Sequence, residues 1–207
     1  MTRIVIVGAG GHGKVLADAL LTAGRPVDGF LDRDKGLHGL RVLDVPVLGG
    51  DDCAEPGWVL VNGIGTVGLP LARQAVDRHF AERGFPFLAV CHPSAVLGRG
   101  VVLGEGCQIM AGAVVQPDTV IGRGAIINTR AAVDHDCVLG DFVHVAPGAT
   151  LSGGVRVGAG SHIGTGAVVI EGIRIGAGCL VAAGAVVVAD VADGARVAGL
   201  PAKAMRP

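Results

Sequence analysis

Residues 149–160 read Ala149-Thr150-Leu151-Ser152-Gly153-Gly154-Val155-Arg156-Val157-Gly158-Ala159-Gly160. Both halves share one pattern: a small or aliphatic residue, a variable one, an aliphatic one, then a corner that ends in glycine. Stepping by six in both directions from Leu151, every position from Leu97 to Val187 is Leu, Ile or Val, sixteen in succession. Two residues earlier stand small or β-branched residues, among them Ala95, Cys107, Thr119, Ala131, Cys137, Ser161, Ala167 and Ala185. Glycine recurs three residues after the aliphatic, as at Gly100, Gly106, Gly112, Gly124, Gly148, Gly166, Gly172, Gly178 and Gly184. Side chains two apart on a strand share a face, so the small residue and the aliphatic both point inward. Glycine then supplies the corner, where positive φ is needed. Three six-residue strands close a triangular turn, and successive turns stack as a parallel β-helix. A chance sandwich of Val- and Gly-rich strands would not hold register over sixteen repeats.

Residues 3–90 follow a different grammar. Arg3 to Val7 reads as a buried parallel strand running into Gly8-Ala9-Gly10-Gly11-His12-Gly13, with a helix from Lys14 to Ala23. Val27–Leu31 and Trp58–Val61 read as strands, Leu69–Arg83 as a helix and Phe85–Val90 as a last strand. Alternating β and α predicts a small doubly wound sheet. Gly8, Gly10 and Gly13 have the spacing of a dinucleotide turn, and Asp32 follows where a ribose-binding carboxylate would stand. The sheet is about half the size of a full dinucleotide domain and is fused to a solenoid with chemistry of its own. A nucleotide carried by a sugar, held by the same turn and carboxylate, fits better than NAD.

Composition narrows the classes. Half the chain is apolar but only 3% is aromatic, as a narrow core of small aliphatics requires. A formal charge of −1 provides no basic field for nucleic acid. Glycines and charges interrupt every apolar run, and no basic-plus-apolar leader opens the chain, so it reads as cytoplasmic with no membrane association. Cys107, Cys137 and Cys179 occupy the small inward slot, too far apart for disulfides, while Cys53 and Cys91 show no metal-ligand spacing.

The hexapeptide stretch resembles the left-handed β-helix acyltransferases. The left hand is what the resemblance implies, since parallel crossovers otherwise favour the right. The expected architecture is therefore α/β plus all-β: a Rossmann-like domain at 1–90, a left-handed parallel β-helix at 91–190 and a tail at 191–207. The Gly-Gly-His-Gly turn, His92-Pro93-Ser94-Ala95 leading into the repeat, and the tail from Val197 to Lys203 are together similar to one bacterial family. That family holds nucleotide-activated aminosugar N-acetyltransferases and sialic-acid O-acetyltransferases.

The repeat changes character between residues 128 and 142, where corners become Asn128-Thr129-Arg130, Asp134-His135-Asp136 and Gly140-Asp141-Phe142. An imidazole flanked by carboxylates can act as a base near neutral pH. Moving acetyl from a thioester to an amine needs such a base and donors for the developing oxyanion. No repeat cysteine points outward, which argues against a thiol nucleophile. His144 and His162 are one coil apart in an outward column, and His144 is half a turn from His135. The latter two cannot meet within one subunit, which predicts a homotrimer with clefts between prisms.

The resemblance implies His135 as the base with Asp136 beside it, where relatives often carry Glu. It places His144 near the acetyl group of acetyl-CoA, and the pantetheine arm along Gly153, Gly154, Thr165 and Ala183. Lys203 and Arg206 in the tail could meet the CoA phosphates. It puts the nucleotide-sugar at Gly10, Gly11, His12, Gly13, Asp32, Asn62 and Gly63, with no metal. Acetyl-CoA:aminosugar N-acetylation on a UDP or GDP carrier is the expected activity, in O-antigen or protein glycosylation. O-acetylation of sialic acid or another hydroxyl, and a non-catalytic nucleotide-binding scaffold, are the competing readings.

Overall fold

The computed structural model describes residues 2–205; Arg206 lies outside the described residues. The chain forms two compact units. Residues up to Thr66 with Leu71–Pro93 make one, and Val67–Pro70 with the residues from Ser94 onward make the other.

In the first unit, β1 (Ile4–Val7) leads into α1 (Gly11–Thr22), then β2 (Gly29–Leu31), β3 (Arg41–Val42), β4 (Val45–Gly49), β5 (Val59–Asn62) and α2 (Leu71–Ala81). The sheet order is β3-β4-β2-β1-β5, parallel except for the β3–β4 hairpin. Its core gathers Val5, Val7, Leu31, Trp58, Leu60, Val76, Phe80, Phe85 and Phe87.

Three local expectations change here. Helix α1 begins at Gly11, so Gly11, His12 and Gly13 are its first turn rather than a loop. Phe85–Val90 contributes only a bridge from Phe87 to Leu60 and the start of a short strand, Val90–Cys91. The β3–β4 hairpin has no counterpart in the sequence reading. It turns through Leu43 and Asp44, both at positive φ (49° and 59°), without the Asn-Gly or Asp-Gly signal such turns usually carry.

The second unit is the predicted prism. Its first face stacks six two-residue strands from Val96–Leu97 to Val186–Val187. Its second face stacks five, from Val102–Leu103 to Arg174–Ile175. Its third includes Gln108–Ile109, Ile126–Ile127, His144–Val145, His162–Ile163 and Leu180–Val181. Up to the last coil each residue pairs with the one 18 positions on, as Val114 with Ala132, Val120 with Val138 and Ile126 with His144.

The inward rungs are sealed: Ile109, Val115, Ile127, Val133, Val145, Leu151, Ile163 and Val181 have no exposed surface. Leu97, in the first coil, keeps 39% of its surface. The small slot is equally closed, and its polar members are satisfied inside. Thr119 Oγ1 donates to the Asp134 carbonyl at 2.9 Å, and Ser161 Oγ donates to Gly176 O at 2.7 Å. The ladder does not stop at residue 190. Arg196–Ala198 continues the third face against Leu180–Val181, and Lys203–Ala204 folds back antiparallel on it.

Candidate active site

From Gly100 to Gly184 the corner residue three after each inward aliphatic sits at positive φ. At four corners it is not glycine: Asp118, Arg130, Asp136 and Phe142, at φ 55° to 60°. An L-residue in this region is disfavoured by about 1 kcal/mol or more. Three of the four fall between residues 130 and 142, the stretch where the repeat turns polar. Such local strain concentrates where a side chain is needed for another purpose.

Asp136 is one of these residues, and His135 precedes it. The His135 Nδ1 lies 2.7 Å from Asp136 Oδ2, and the His135 backbone N–H donates to Asp134 Oδ1 at 2.8 Å. A carboxylate only accepts, so Nδ1 carries the hydrogen and Nε2 keeps its lone pair. The hydrogen bond that His135 donates to Asp136, then the charge of Asp134, raises the His135 pKa above its ordinary value. Both side chains stand open on the prism edge. A shallow groove of about 170 Å³ beside the corner is lined by Gln116, Asp134, Thr150 and Ser152 with apolar neighbours.

Gly153 lies directly under this imidazole. A Cβ there would stand 2.7 Å from both Cε1 and Nε2 of His135. The Gly154 N–H donates to the His135 carbonyl at 2.8 Å, so both neighbours hold the corner from the next coil. Gly154 itself, at φ 69°, opens onto free space. Thr165 and Ala183 share an exposed corner column, one coil apart, joined by the Gly184 N–H to Thr165 carbonyl bond. Lys203 is exposed on the C-terminal hairpin.

His144 and His162 pair in register on the third face, as expected, but neither is open to solvent: they retain only 6% and 8% of their surface. Their rings meet edge to face with centroids 4.8 Å apart. Asn128 sets the state of His144. Its Oδ1 accepts the Thr129 N–H at 2.7 Å, which turns Nδ2 toward His144 Nε2 at 3.0 Å. His144 is therefore a neutral imidazole protonated on Nδ1. Burial lowers the His162 pKa, so that ring is neutral too. Asn128 carries a signal the sequence offered, a polar residue in a glycine-rich corner, but its partner was not legible.

In the N-terminal unit, Gly8 takes φ 103°, and a Cβ on Gly13 would overlap the Gly8 carbonyl. Gly10 and Gly11 face open space. Asp32 ties this turn to β2: its Oδ2 accepts the Ala9 N–H at 2.7 Å and its Oδ1 accepts the Asp34 N–H at 2.9 Å. Asn62 is buried and faces inward, its Nδ2 donating to the Arg73 carbonyl at 3.0 Å. Arg73, also buried, donates to the carbonyls of Asn62 (3.1 Å) and Ile64 (2.6 Å). Desolvation lowers its pKa to about 10, so it stays charged at neutral pH. Gly63 passes so close to Gly8 that a Cβ would lie 2.7 Å from its carbonyl oxygen. Asn62 and Gly63 thus shape the loop, and His12 packs near Gly65.

A cavity of about 190 Å³ opens between Gly8, Asp32, Arg33, Asp51, Ile64 and Ala72. Beyond the Arg33–Asp51 ion pair (2.8 Å) it adjoins a wider groove of about 770 Å³ with Lys35, His38, His79 and Arg83. Arg33, Asp51 and Ala72 are residues that sequence reasoning missed, because only the sheet brings them to the glycine turn. Among the described residues no cluster of three His, Cys, Asp or Glu side chains could hold a metal. Among the described residues no helix is long and apolar enough to cross a membrane.

Residues 3–76 match the PglD N-terminal domain, and residues 100–135 and 118–153 match the bacterial transferase hexapeptide family of six repeats. PerB from Caulobacter crescentus, solved with CoA and GDP-perosamine, is 42% identical with a TM-score of 0.91, covering 100% of this chain and 98% of that one. The chain belongs to the bacterial hexapeptide acetyltransferases with a PglD-type N-terminal domain.

Other solved members agree. The acetyltransferase domain of PglB from Neisseria gonorrhoeae, in complex with acetyl coenzyme A, is 38% identical over 98% of both chains with a TM-score of 0.89. A perosamine N-acetyltransferase from Caulobacter crescentus with one histidine changed to asparagine, again with CoA and GDP-perosamine, is 40% identical, with a TM-score of 0.91 over 100% of this chain and 98% of that one. A comparison with curated protein sequences gives no match. This acyltransferase therefore has the fold expected of it, a small α/β unit followed by a left-handed β-helix.

Proposed function

We propose that the enzyme transfers acetyl from acetyl-CoA to the amine of a nucleotide-linked 4-amino-6-deoxysugar, carried on GDP or UDP. The observation that carries this is the His135–Asp136 pair. It is a tautomer-fixed imidazole with a free Nε2 lone pair, on a prism edge where glycine is otherwise the rule. Full-length similarity to proteins solved with CoA and GDP-perosamine supplies the substrate classes.

The chemistry needs no covalent enzyme intermediate. The sugar amine attacks the thioester carbonyl carbon, and His135 Nε2 takes the proton the nitrogen sheds. Asp136 holds the imidazole in the correct tautomer and stabilises its protonated form. The tetrahedral intermediate collapses with loss of the CoA thiolate, which recovers the proton from His135. Amide and free CoA are the products. The donor lies along Gly153, Gly154, Thr165 and Ala183, with His144 backing its acetyl end and Lys203 near its phosphates. The nucleotide sits at the glycine turn, with Gly10, Gly11, His12 and Gly13, Asp32 and the Asn62-Gly63 loop around it, next to the cavity lined by Gly8, Asp32 and Ile64.

Since His135 and His144 stand on different parts of one prism, the complete site lies between subunits of a homotrimer. Both substrates are cytoplasmic metabolites, which places the enzyme there, ahead of O-antigen or protein glycan assembly.

The test is release of free CoA with a panel of GDP- and UDP-4-aminosugars, sialic acid and serine. Turnover with an aminosugar, lost in His135→Ala at unchanged thermal stability, supports the assignment. Turnover with hydroxyl acceptors alone replaces it with O-acetylation, and no CoA release with any acceptor rejects it.

A further inference from the structure

Among the described residues Arg73 is the largest fully buried side chain, with 1% of its surface exposed. It stands in the first turn of α2, and its guanidinium reaches the loop that follows β5. Nη1 alone donates to two carbonyls of that loop, Asn62 at 3.1 Å and Ile64 at 2.6 Å. The tie is reciprocal. Asn62 Nδ2 donates to the Arg73 carbonyl at 3.0 Å, and Asn62 Oδ1 accepts the Ile64 N–H at 3.2 Å. Asp77, one helical turn further and also buried, favours the charged guanidinium. For stability alone, an apolar side chain of similar size often serves as well as a buried ion. What the guanidinium adds is direction, because it fixes where two loop carbonyls point.

That direction acts on the far side of the loop. The Gly63 N–H donates to the Val7 carbonyl at 2.8 Å, which seats the loop on the end of β1. A Cβ on Gly63 would lie 2.7 Å from the Gly8 carbonyl oxygen, and one on Gly8 would lie 2.8 Å from Ile64 Cδ1. The loop and the glycine turn are thus in direct contact. Ile64 is one wall of the cavity of about 190 Å³ beside that turn; Ala72, Ala75 and Val76 of α2 form a second wall, and Gly8 and Asp32 a third. Arg73 does not line the cavity itself. One buried cation therefore joins β5, α2 and the glycine turn into a single frame. A loop without that frame would have to be ordered when ligand arrives, and ordering on binding weakens affinity.

We propose that Arg73 is a positioning residue for the acceptor nucleotide. Through the carbonyls of Asn62 and Ile64 it holds the loop after β5 against the glycine turn before the ligand binds, and it touches no substrate. This rests on the nucleotide-sugar acceptor of the proposed function. It follows that Arg73 governs acceptor affinity and leaves the chemical step and the donor alone.

Calorimetric binding of GDP, UDP and CoA to the full-length protein tests this, together with kcat and KM from CoA release. Each measurement is made below the variant's melting transition. Arg73→Met removes the donor and should weaken the better-bound nucleotide at least about tenfold, on the order of ordering one loop residue. The acceptor KM should rise in parallel, while kcat and CoA affinity stay within about twofold of wild type. Arg73→Lys keeps the charge beside Asp77 on a shorter stem without the planar fork. It should show the same split at smaller amplitude, and it carries the test if Arg73→Met does not fold. Phe80→Leu thins the core under the same helix and should lower the melting temperature with nucleotide affinity retained. Unchanged nucleotide affinity in the Arg73 variants, despite lowered melting, overturns the inference and leaves Arg73 a purely structural residue. An equal loss of CoA affinity, or an equal loss of nucleotide affinity in Phe80→Leu, also overturns it by marking general destabilisation. Wild-type protein that binds neither GDP nor UDP would instead bring down the acceptor assignment, and this role with it.

Discussion

At the residue scale, the site separates what stability asks of a position from what chemistry asks. Asp136 occupies a left-handed corner that favours glycine. Asp136→Gly should hold or raise thermal stability by about 1 kcal/mol, yet lose most of the activity because the imidazole loses its partner. Asp136→Asn isolates the electrostatics. With the Asp136 carboxylate in place the His135 pKa is raised, and the base works only when unprotonated. Activity therefore falls as pH drops through that raised value. Removing the carboxylate lowers the pKa, so the acid limb of the pH–rate profile should move to lower pH. A limb that stays put would separate His135 from the titration. Gly153→Ala tests position instead of charge: its Cβ would meet the ring at 2.7 Å. A displaced base should cost on the order of 10²-fold in kcat, with an unchanged melting curve. His135→Ala itself should cost about 10²- to 10⁴-fold, read from CoA release.

At the scale of elements, the solenoid strands were legible and the small sheet only in part. A six-residue period repeats its message sixteen times, so a single ambiguous strand could not obscure it. The Arg41–Gly49 hairpin had one chance to announce itself. Its Leu43-Asp44 turn lacks a glycine, and Pro46 within the second strand argues against a strand. The loop after β5 shows a related limit. Asn62 and Gly63 are expected beside the nucleotide, and the sequence did not reveal the contacts they also make with Arg73 and Gly8. Arg73 satisfies two carbonyls from a buried position, beside buried Asp77. Arg73→Met should therefore destabilise the N-terminal unit by about 3 kcal/mol or more, measured by thermal or urea unfolding. A loss below about 1 kcal/mol would show that the loop holds without it.

At the scale of the whole molecule, the proposed active site needs more than one chain. Sedimentation of the intact protein should give a trimer, and mixing inactive His135→Ala with an inactive donor-cleft variant should restore part of the activity through hybrid clefts. An active monomer would rule this out. Each unit carries half of the proposed chemistry, the glycine turn with its cavity in one and the imidazole–carboxylate corner in the other.

Periodicity alone determined the prism, its inward rungs and the polar break that marks His135 and Asp136, because side-chain direction in a strand follows from counting. The glycine turn and Asp32 were readable for the same reason: a backbone that must bend tightly leaves few residue choices. Only the tertiary structure decided that Gly153 seats the imidazole and that Asn128 fixes the proton on His144. Each of these contacts joins residues 16 to 18 apart across neighbouring coils. Their meaning depends on distances and ring orientations that a one-dimensional pattern does not carry.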